Sequence, residues 1–262
     1  MAVTVGIRPV ADFETQNYQI MTNLNTSTEA TITDETAIGF IPCYRLPFLS
    51  LFHADCMEIM KQYPDKYFDL AIVDPPYGIG ASEMQMGNNS KKKWNKGKNW
   101  DNETPTNEYW NELFRVSKNQ IVWGGNYFDL PLTKSWIIWD KNNGESGFAD
   151  GEMAWNSFNK PLKIKKIHWC GSASNWEDTS GKIHPTQKPV KLYSWQLQEY
   201  ATEGMKLLDT HFGSGSIALA VDKANRLDKM NLHLTACEID KEYIDKAIKR
   251  ISESIKQGTL SF

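Results

Sequence analysis

The tetrapeptide Asp74-Pro75-Pro76-Tyr77 follows directly after an apolar run, DLAIV, and combines residue types that can hold an amine. The prolines restrict the backbone, so the Asp74 carboxylate and the Pro75 carbonyl are held in one orientation. These two acceptors can receive both N–H groups of an exocyclic base amine, while the Tyr77 ring stacks on a base flipped out of a duplex. The motif predicts catalysis by positioning and electrostatics, without a covalent intermediate.

A glycine-rich turn, DTHFGSGS, begins at Asp209 and separates an apolar strand from an apolar helix. Glycines let the backbone approach a ligand closely, and the N-terminus of the following helix favours a polar or negative group. About one strand later, Glu238 ends the run LTACE, where a carboxylate can accept hydrogen bonds from ribose hydroxyls. Together these features predict a nucleoside cofactor. Alone, Gly213-x-Gly215-x-x-Ala218 also fits the dinucleotide fingerprint of an NAD-linked oxidoreductase.

The elements that position these motifs alternate between strands and helices. Apolar runs predict strands near residues 48–53, 69–73, 120–123 and 136–139, and helices are predicted near 55–62 and 107–117. A helix opened by prolines follows HPTQKP, and two strand–helix pairs come after it. This order predicts a Rossmann-like α/β fold with a mainly parallel central sheet, helices on both faces and ligands at the carboxyl ends of the strands.

Composition divides the chain into a Thr-rich N-terminal arm, residues 1–45, and a catalytic domain, residues 46–262. Within the domain we predict a mobile loop at 79–103 and a small recognition insertion at about 140–183. The loop carries the most basic run of the chain, which can grip phosphates, although a charge run is more often a solvated face. The residues predicted to contact DNA are Lys91, Lys92, Lys93, Lys96, Lys98, Lys163 and Lys165.

The bulk composition restricts the class of protein. A net charge of −3 and a pI near 6.0 argue against a uniformly basic nucleic-acid surface, so phosphate contacts must come from local clusters. The four cysteines and five histidines lack the spacing of a zinc site, and we predict no metal. Neither a secretory signal nor a long apolar stretch is found, which favours a cytoplasmic protein.

Several ordered segments, among them LAIVDPPYG, HPTQKP, LLDTHFGSGS and CEIDKEYIDKAIKRI, resemble the β group of amino-DNA methyltransferases over about residues 48–252. In that family the catalytic motif precedes the cofactor motif, and the methyl donor is S-adenosylmethionine, which becomes S-adenosylhomocysteine. The resemblance implies that Asp74, Pro75 and Tyr77 bind the target base. It also implies a cofactor site formed by Asp55, Cys56, Asp74, Lys188, Asp209, Phe212, Gly213, Ser214, Gly215, Glu238 and Ile239.

Three residues of these segments also suit an ordinary structural role. Asp55 is well placed to be the N-cap of the helix that follows it. Lys188 resembles a family position from which it could reach a carboxylate, but a solvated lysine has the same sequence signature. Trp123, in the segment WGGNYF, suits either a pocket wall or the core.

The resemblance implies methylation of the N6 amine of adenine in double-stranded DNA. N4-cytosine methylation is the nearest alternative, and family members that perform it more often have serine at the position of Asp74. A methyltransferase acting on RNA or on a protein amide is an alternative of another class, as are a non-catalytic DNA-binding module and an NAD-linked oxidoreductase. A homodimer and a cognate restriction endonuclease are further partners that the resemblance implies.

Overall fold

The computed structural model describes residues 39–80, 101–144, 149–169, 183–184 and 186–259. Most of the predicted N-terminal arm and residues 81–100 of the predicted loop therefore lie outside the described residues. Five helices longer than one turn are described: α1 (Cys56–Met60), α2 (Asn107–Val116), α3 (Val190–Tyr200), α4 (Ser216–Asp228) and α5 (Lys241–Thr259). A single 3-10 turn covers Gly125–Tyr127.

The described strands form one sheet: β1 (Tyr44–Leu46), β2 (Leu49–His53), β3 (Phe68–Val73), β4 (Ser117–Trp123), β5 (Trp136–Asp140), β6 (Gly151–Asn156), β7 (Lys163–Lys166), β8 (Lys206–Asp209) and β9 (His233–Glu238). Their spatial order is β1-β2-β9-β8-β3-β4-β6-β5-β7. The five strands from β2 to β4 are parallel to their neighbours, whereas β1 and β6 join this parallel block antiparallel. This mainly parallel sheet confirms the predicted Rossmann-like α/β fold.

Both faces of the central sheet are buried, as expected for parallel strands covered by helices. In β3 the alternating residues Leu70 and Ile72 share a core with α3, α4 and α5, through side chains such as Leu192 and Ile217. The intervening residues of β3 point to the opposite face, and Ala71 is buried there. A near-continuous apolar run such as FDLAIV is therefore what a central parallel strand requires.

The parallel register brings three chain segments to one edge of the sheet. β3 lies beside β8, with Ala71 opposite Leu208, and β8 lies beside β9, with Asp209 opposite Ala236. Because these strands run in the same direction, their carboxyl ends meet at the same edge. The segments that begin at Asp74, at Asp209 and at Glu238 therefore converge, although they are far apart in sequence.

Two features of the fold differ from the sequence prediction. The segment 140–183 shows only weak signals in sequence, yet it contributes β6 and β7 to the main sheet. The predicted arm ends inside β1, which pairs antiparallel with β2. Short strands at the edge of a sheet have weak local signals, because their pairing partners decide whether they form. No helix in the described part of the chain is long and apolar enough to cross a membrane.

Candidate active site

The loop after β3 is fixed by a buried carboxylate. The backbone N–H groups of Tyr77 and Gly78 donate to the same oxygen of Asp101, over 2.6 and 3.1 Å. Asp101 is only 1% exposed, so these bonds are shielded from water. Hydrogen bonds from backbone N–H groups to a buried carboxylate are charge-assisted, and they hold the Asp74–Tyr77 segment in one conformation.

The Tyr77 ring is seated against the chain that follows β4. Its hydroxyl donates to Oδ1 of Asp74 over 2.6 Å. Gly124 has a φ of +68°, and a Cβ atom added there would lie 2.2 Å from Cε1 of Tyr77. On the same side, the half-exposed ring of Tyr127 stacks on Tyr77 with centroids 5.1 Å apart. A glycine at position 124 is therefore a steric requirement for this position of Tyr77.

Lys188 lies at the centre of an ion-pair network. Its Nζ is 2.5 Å from Oδ2 of Asp74 and 3.3 Å from Oε2 of Glu152, and it donates to the Tyr77 hydroxyl over 3.3 Å. The Lys188 side chain is 2% exposed. Burial disfavours its charge, but the two carboxylates outweigh burial and raise the pKa of Lys188. The ammonium is therefore charged at neutral pH.

The two carboxylates of this network have different surroundings. Burial raises the pKa of Asp74 in spite of the adjacent Lys188, and repulsion from Glu152 adds to this effect. For Glu152, burial also works against the charge, but Lys188 and Lys141 together lower its pKa. Lys141 approaches Oε1 of Glu152 at 2.7 Å, whereas Lys188 approaches Oε2. The negative charges of Asp74 and Glu152 are thus compensated by the positive charges of Lys188 and Lys141.

The glycine turn after β8 faces the carboxylate that ends β9. Gly213 has a φ of +51°, and its N–H donates to Oε2 of Glu238 over 2.8 Å. The other oxygen of Glu238 accepts from the Asp240 N–H over 2.9 Å. Burial raises the pKa of Glu238. A carboxylate offers about four acceptor positions, so Glu238 can still accept from hydroxyl donors.

Beneath the turn lies a second set of buried polar groups. Oδ1 of Asp209 accepts from the His211 N–H over 3.0 Å, and burial raises the pKa of Asp209 to about 8. Burial lowers the pKa of His211 to about 4. The side chain of Thr210 links the His211 ring, 2.9 Å away, to the Tyr109 hydroxyl, 2.7 Å away. This chain of hydrogen bonds ties the turn to α2.

One cavity of about 400 Å³ joins the loop after β3 to the glycine turn. It is open to Asp74 and Pro76 on one side and to Gly213 and Glu238 on the other. Its full lining is Asp74, Pro76, His184, Thr186, Gln187, Lys188, Tyr193, His211, Phe212, Gly213, Ser214, Glu238, Ile239, Asp240 and Tyr243. Among the described residues, no group of three or more His, Cys, Asp or Glu side chains could hold a metal ion.

The profile of the N6/N4 methyltransferases, described as DNA methylase, matches residues 129–249, a span that contains the glycine turn and Glu238. The chain is 24% identical to the Type II methyltransferase M2.MboI of Moraxella bovis over 216 residues, which are 65% of this chain and 78% of that protein. It is 22% identical to the Type II methyltransferase M2.LlaDCHI of Lactococcus lactis subsp. cremoris over 261 residues, covering 83% and 94% of the two chains. These matches support an assignment to the N6/N4 DNA methyltransferase family.

A solved structure of this fold supports the architecture. The chain matches a PvuII DNA methyltransferase described as cytosine-N4-specific, with a TM-score of 0.54 and 14% identity, over 81% of this chain and 89% of that one. The family match and the curated relatives support a DNA methyltransferase that uses S-adenosylmethionine as its methyl donor. The predicted family and cofactor are thus confirmed.

Most of the predicted site residues converge. Eight of them, namely Asp74, Pro76, Lys188, Phe212, Gly213, Ser214, Glu238 and Ile239, line the cavity. Pro75 and Tyr77 flank Pro76, and Asp209 and Gly215 bracket the cavity-lining turn. Cys56 begins α1, where burial and the adjacent Asp55 raise the pKa of its thiol to about 12, and Asp55 is the N-cap of that helix, accepting from the Met57 N–H over 2.8 Å. Neither of these two residues lines the cavity.

The lysines predicted to contact DNA fall in two places. Lys91, Lys92, Lys93, Lys96 and Lys98 lie outside the described residues. Lys163 and Lys165 lie on β7, four strand positions from β3, or roughly 19 Å at about 4.8 Å per step. There Lys163 approaches Glu199 at 3.4 Å, and Lys165 lies 5.6 Å from the centre of the Trp195 ring. These two lysines are separate from the cavity.

Sequence reasoning missed several residues of the site, among them Glu152, Lys141, Asp101 and Gly124. Glu152 and Lys141 come from the segment with weak signals, and nothing near them in sequence marks a functional role. Asp101 follows the basic loop, where a lone aspartate resembles an ordinary turn residue. A signal was available only for Gly124, because consecutive glycines directly after an apolar strand often mark a close approach of the backbone. Trp123 is fully buried and does not line the cavity, so it is a core residue, and the centre of its ring lies 5.2 Å from the Lys188 ammonium.

Proposed function

We propose that this DNA methyltransferase transfers a methyl group from S-adenosylmethionine to the N6 amine of adenine in double-stranded DNA. The observation that carries the proposal is the shared cavity, which joins the Asp74 loop to the glycine turn and Glu238. A base amine held at Asp74 and a nucleoside held at Glu238 would therefore meet in one enclosed space. Bringing two reactants together in this way accounts for a large part of enzymatic rate enhancement.

At the target end, Asp74 and the Pro75 carbonyl would accept the two N–H groups of the amine. This directs the nitrogen lone pair towards the methyl group and stabilises the positive charge that develops on nitrogen. The aromatic pair of Tyr77 and Tyr127 offers a surface on which a flipped base can pack. The Tyr77 hydroxyl bond to Asp74 keeps the carboxylate oriented while the base enters.

At the cofactor end, the residues suit a ligand with hydroxyl donors and a positive charge. Glu238 would accept from the ribose hydroxyls, and the apolar side chains of Phe212 and Ile239 would contact the adenine ring. Strand β2 pairs with β9 so that His53 is opposite Glu238. Asp55 and Cys56 follow His53 directly, and they would therefore approach the same ring. The methionine portion would lie along the glycine turn, in contact with Gly213, Ser214 and Gly215. Asp209 would stabilise this turn through its hydrogen bond with the His211 N–H. When bound, S-adenosylmethionine supplies an electrophilic methyl group on a sulfonium.

Adenine is favoured over cytosine by the residue at position 74. Family members that methylate the N4 amine of cytosine more often have serine there, and this chain has aspartate. A carboxylate is a stronger acceptor than a hydroxyl, and it compensates more of the positive charge that develops on the amine. Methylation of cytosine N4 is the second candidate, because both targets present the same two N–H donors.

Contacts with the DNA backbone would come from basic residues away from the cavity. We propose that the lysines at 91–98, together with Lys163 and Lys165, neutralise phosphates of the DNA backbone. A homodimer and a cognate restriction endonuclease remain predictions from the family resemblance. Both would fit a modification enzyme that protects a short DNA site.

The test is transfer of labelled methyl from S-adenosylmethionine to unmethylated genomic DNA, followed by digestion to nucleosides and mass spectrometry. We expect N6-methyladenine with the wild-type enzyme and none with Asp74→Ala, while the variant keeps its affinity for S-adenosylhomocysteine. N4-methylcytosine would keep the mechanism and move the target base. A methylated product undiminished in Asp74→Ala would refute the assigned role of Asp74.

A further inference from the structure

Lys188 is a buried ammonium shared between two carboxylates. The Asp74 carboxylate, 18% exposed, is 2.5 Å away, and the Glu152 carboxylate, 27% exposed, is 3.3 Å away. Buried charges that lack a partner are strongly destabilising, whereas paired ones are tolerated. Glu152 therefore provides a second place at which the same ammonium can be neutralised.

This arrangement conflicts with the proposed role of Asp74 unless Lys188 can shift. Oδ1 of Asp74 already accepts from the Tyr77 hydroxyl, and Oδ2 is paired with Lys188. A carboxylate neutralised by a contact ion pair is a weakened acceptor for an incoming amine. A target amine that donates to Oδ2 therefore shares this oxygen with the Lys188 ammonium, and the positive charge that develops on the amine would lie beside a second cation. Moving Lys188 away without another counter-ion would leave a buried charge uncompensated.

We propose that Glu152 is a positioning residue, which becomes the main ion-pair partner of the Lys188 ammonium when the target amine donates to Oδ2 of Asp74. The inference rests on the proposed function, because it assumes that Asp74 accepts from the amine. Lys188 then exchanges one carboxylate for another within the same buried space, and its charge stays paired throughout. Lys141 pairs with Oε1 of Glu152, at 2.7 Å, and Lys188 pairs with the other oxygen, Oε2.

The experiment compares two variants that break the same Glu152–Lys141 ion pair. In Glu152→Gln the ammonium of Lys188 has only Asp74 as its carboxylate partner. We expect the single-turnover rate of methyl transfer to fall by about tenfold or more, with unchanged affinity for S-adenosylhomocysteine. In Lys141→Met the Glu152 carboxylate remains available to Lys188, and we expect a smaller loss of rate than in Glu152→Gln. A merely structural ion pair would slow both variants alike.

Two further variants complete the design. Glu112→Gln, which removes the carboxylate paired with Arg115 at 2.8 Å outside the cavity, controls for the loss of an ion pair as such and should keep the wild-type rate. Glu152→Asp keeps the charge on a shorter side chain and should have a rate between those of the wild type and Glu152→Gln. It also replaces Glu152→Gln should the latter fail to fold, since a reduced rate with normal cofactor affinity is again expected.

Wild-type rates in both Glu152 variants, or equal losses in Glu152→Gln and Lys141→Met, would overturn the inference. Its failure is separable from that of the proposed function. An active Asp74→Ala enzyme would refute the role of Asp74 itself. An inactive Asp74→Ala enzyme beside a fully active Glu152→Gln enzyme would refute the exchange of Lys188 alone.

Discussion

Replacing Gly124 by alanine should displace Tyr77 without touching the cofactor side of the cavity. The added Cβ would lie 2.2 Å from the Tyr77 ring, so the ring must move by about 1.2 Å to reach an ordinary 3.4 Å contact. The 2.6 Å bond from the Tyr77 hydroxyl to Asp74 cannot survive such a shift unchanged. A displacement of about 1 Å at a catalytic position lowers the rate by about 100-fold.

The same substitution also affects stability. Alanine in the left-handed region costs about 1–2 kcal/mol, and overpacking adds about 1–3 kcal/mol. The free energy of unfolding should therefore fall by about 2–5 kcal/mol. The matched control is Gly204→Ala. Gly204 has a φ of +77°, and a Cβ there meets nothing within 4 Å. The Gly204→Ala variant should have the backbone strain of a left-handed alanine without a steric clash. Its methyl-transfer rate should be that of the wild type.

The assay is single-turnover methyl transfer at a temperature at which urea denaturation shows both variants to be folded. Binding of S-adenosylhomocysteine is measured in parallel, and we expect Gly124→Ala to retain it, because the residues around Glu238 lie on other strands. A folded Gly124→Ala enzyme with the wild-type rate would refute the reasoning that Tyr77 must lie where the structure has it.

Three further predictions concern other parts of the site. Asp101→Ala should lower the rate and cost about 1–3 kcal/mol of stability, because the N–H groups of Tyr77 and Gly78 lose their acceptor. Asp101→Asn keeps an acceptor oxygen and should be closer to the wild type. Equal effects of the two substitutions in denaturation and transfer assays would contradict this. The pKa of Asp209 is raised to about 8, so the folded protein retains a proton that the unfolded chain loses above about pH 4. The stability of the wild type should therefore fall from pH 5 to 8 relative to that of Asp209→Asn. If the stabilities of the two proteins changed in parallel over this pH range, the result would argue against the prediction. Replacing Lys163 and Lys165 by alanine should weaken DNA binding at all sequences and reduce the salt slope by about 1.8, at about 0.9 per phosphate contact, while an unchanged slope would place both lysines outside the DNA interface.

Much of the fold could be predicted from local signals. The apolar run before Asp74 and the helix after the glycine turn are read from neighbouring residues, because burial on both faces of a parallel strand requires continuous apolar character. Strands β6 and β7 could not be predicted in this way. β7 is an edge strand with the sequence KIKK, in which Ile164 is 65% exposed, and its pairing with β5 is what holds it in the sheet.

The site divides along the same line. The sequence by itself determined the motifs at Asp74 and at Gly213, because a rigid proline turn and a positive-φ glycine are properties of a few adjacent residues. Only the tertiary structure decided that Lys188 meets Asp74 and Glu152, since these residues come from three separated segments of the chain. Long-range ion pairs depend on which strands become neighbours, and the sheet order, with β6 inserted between β4 and β5, is set by packing of the whole chain.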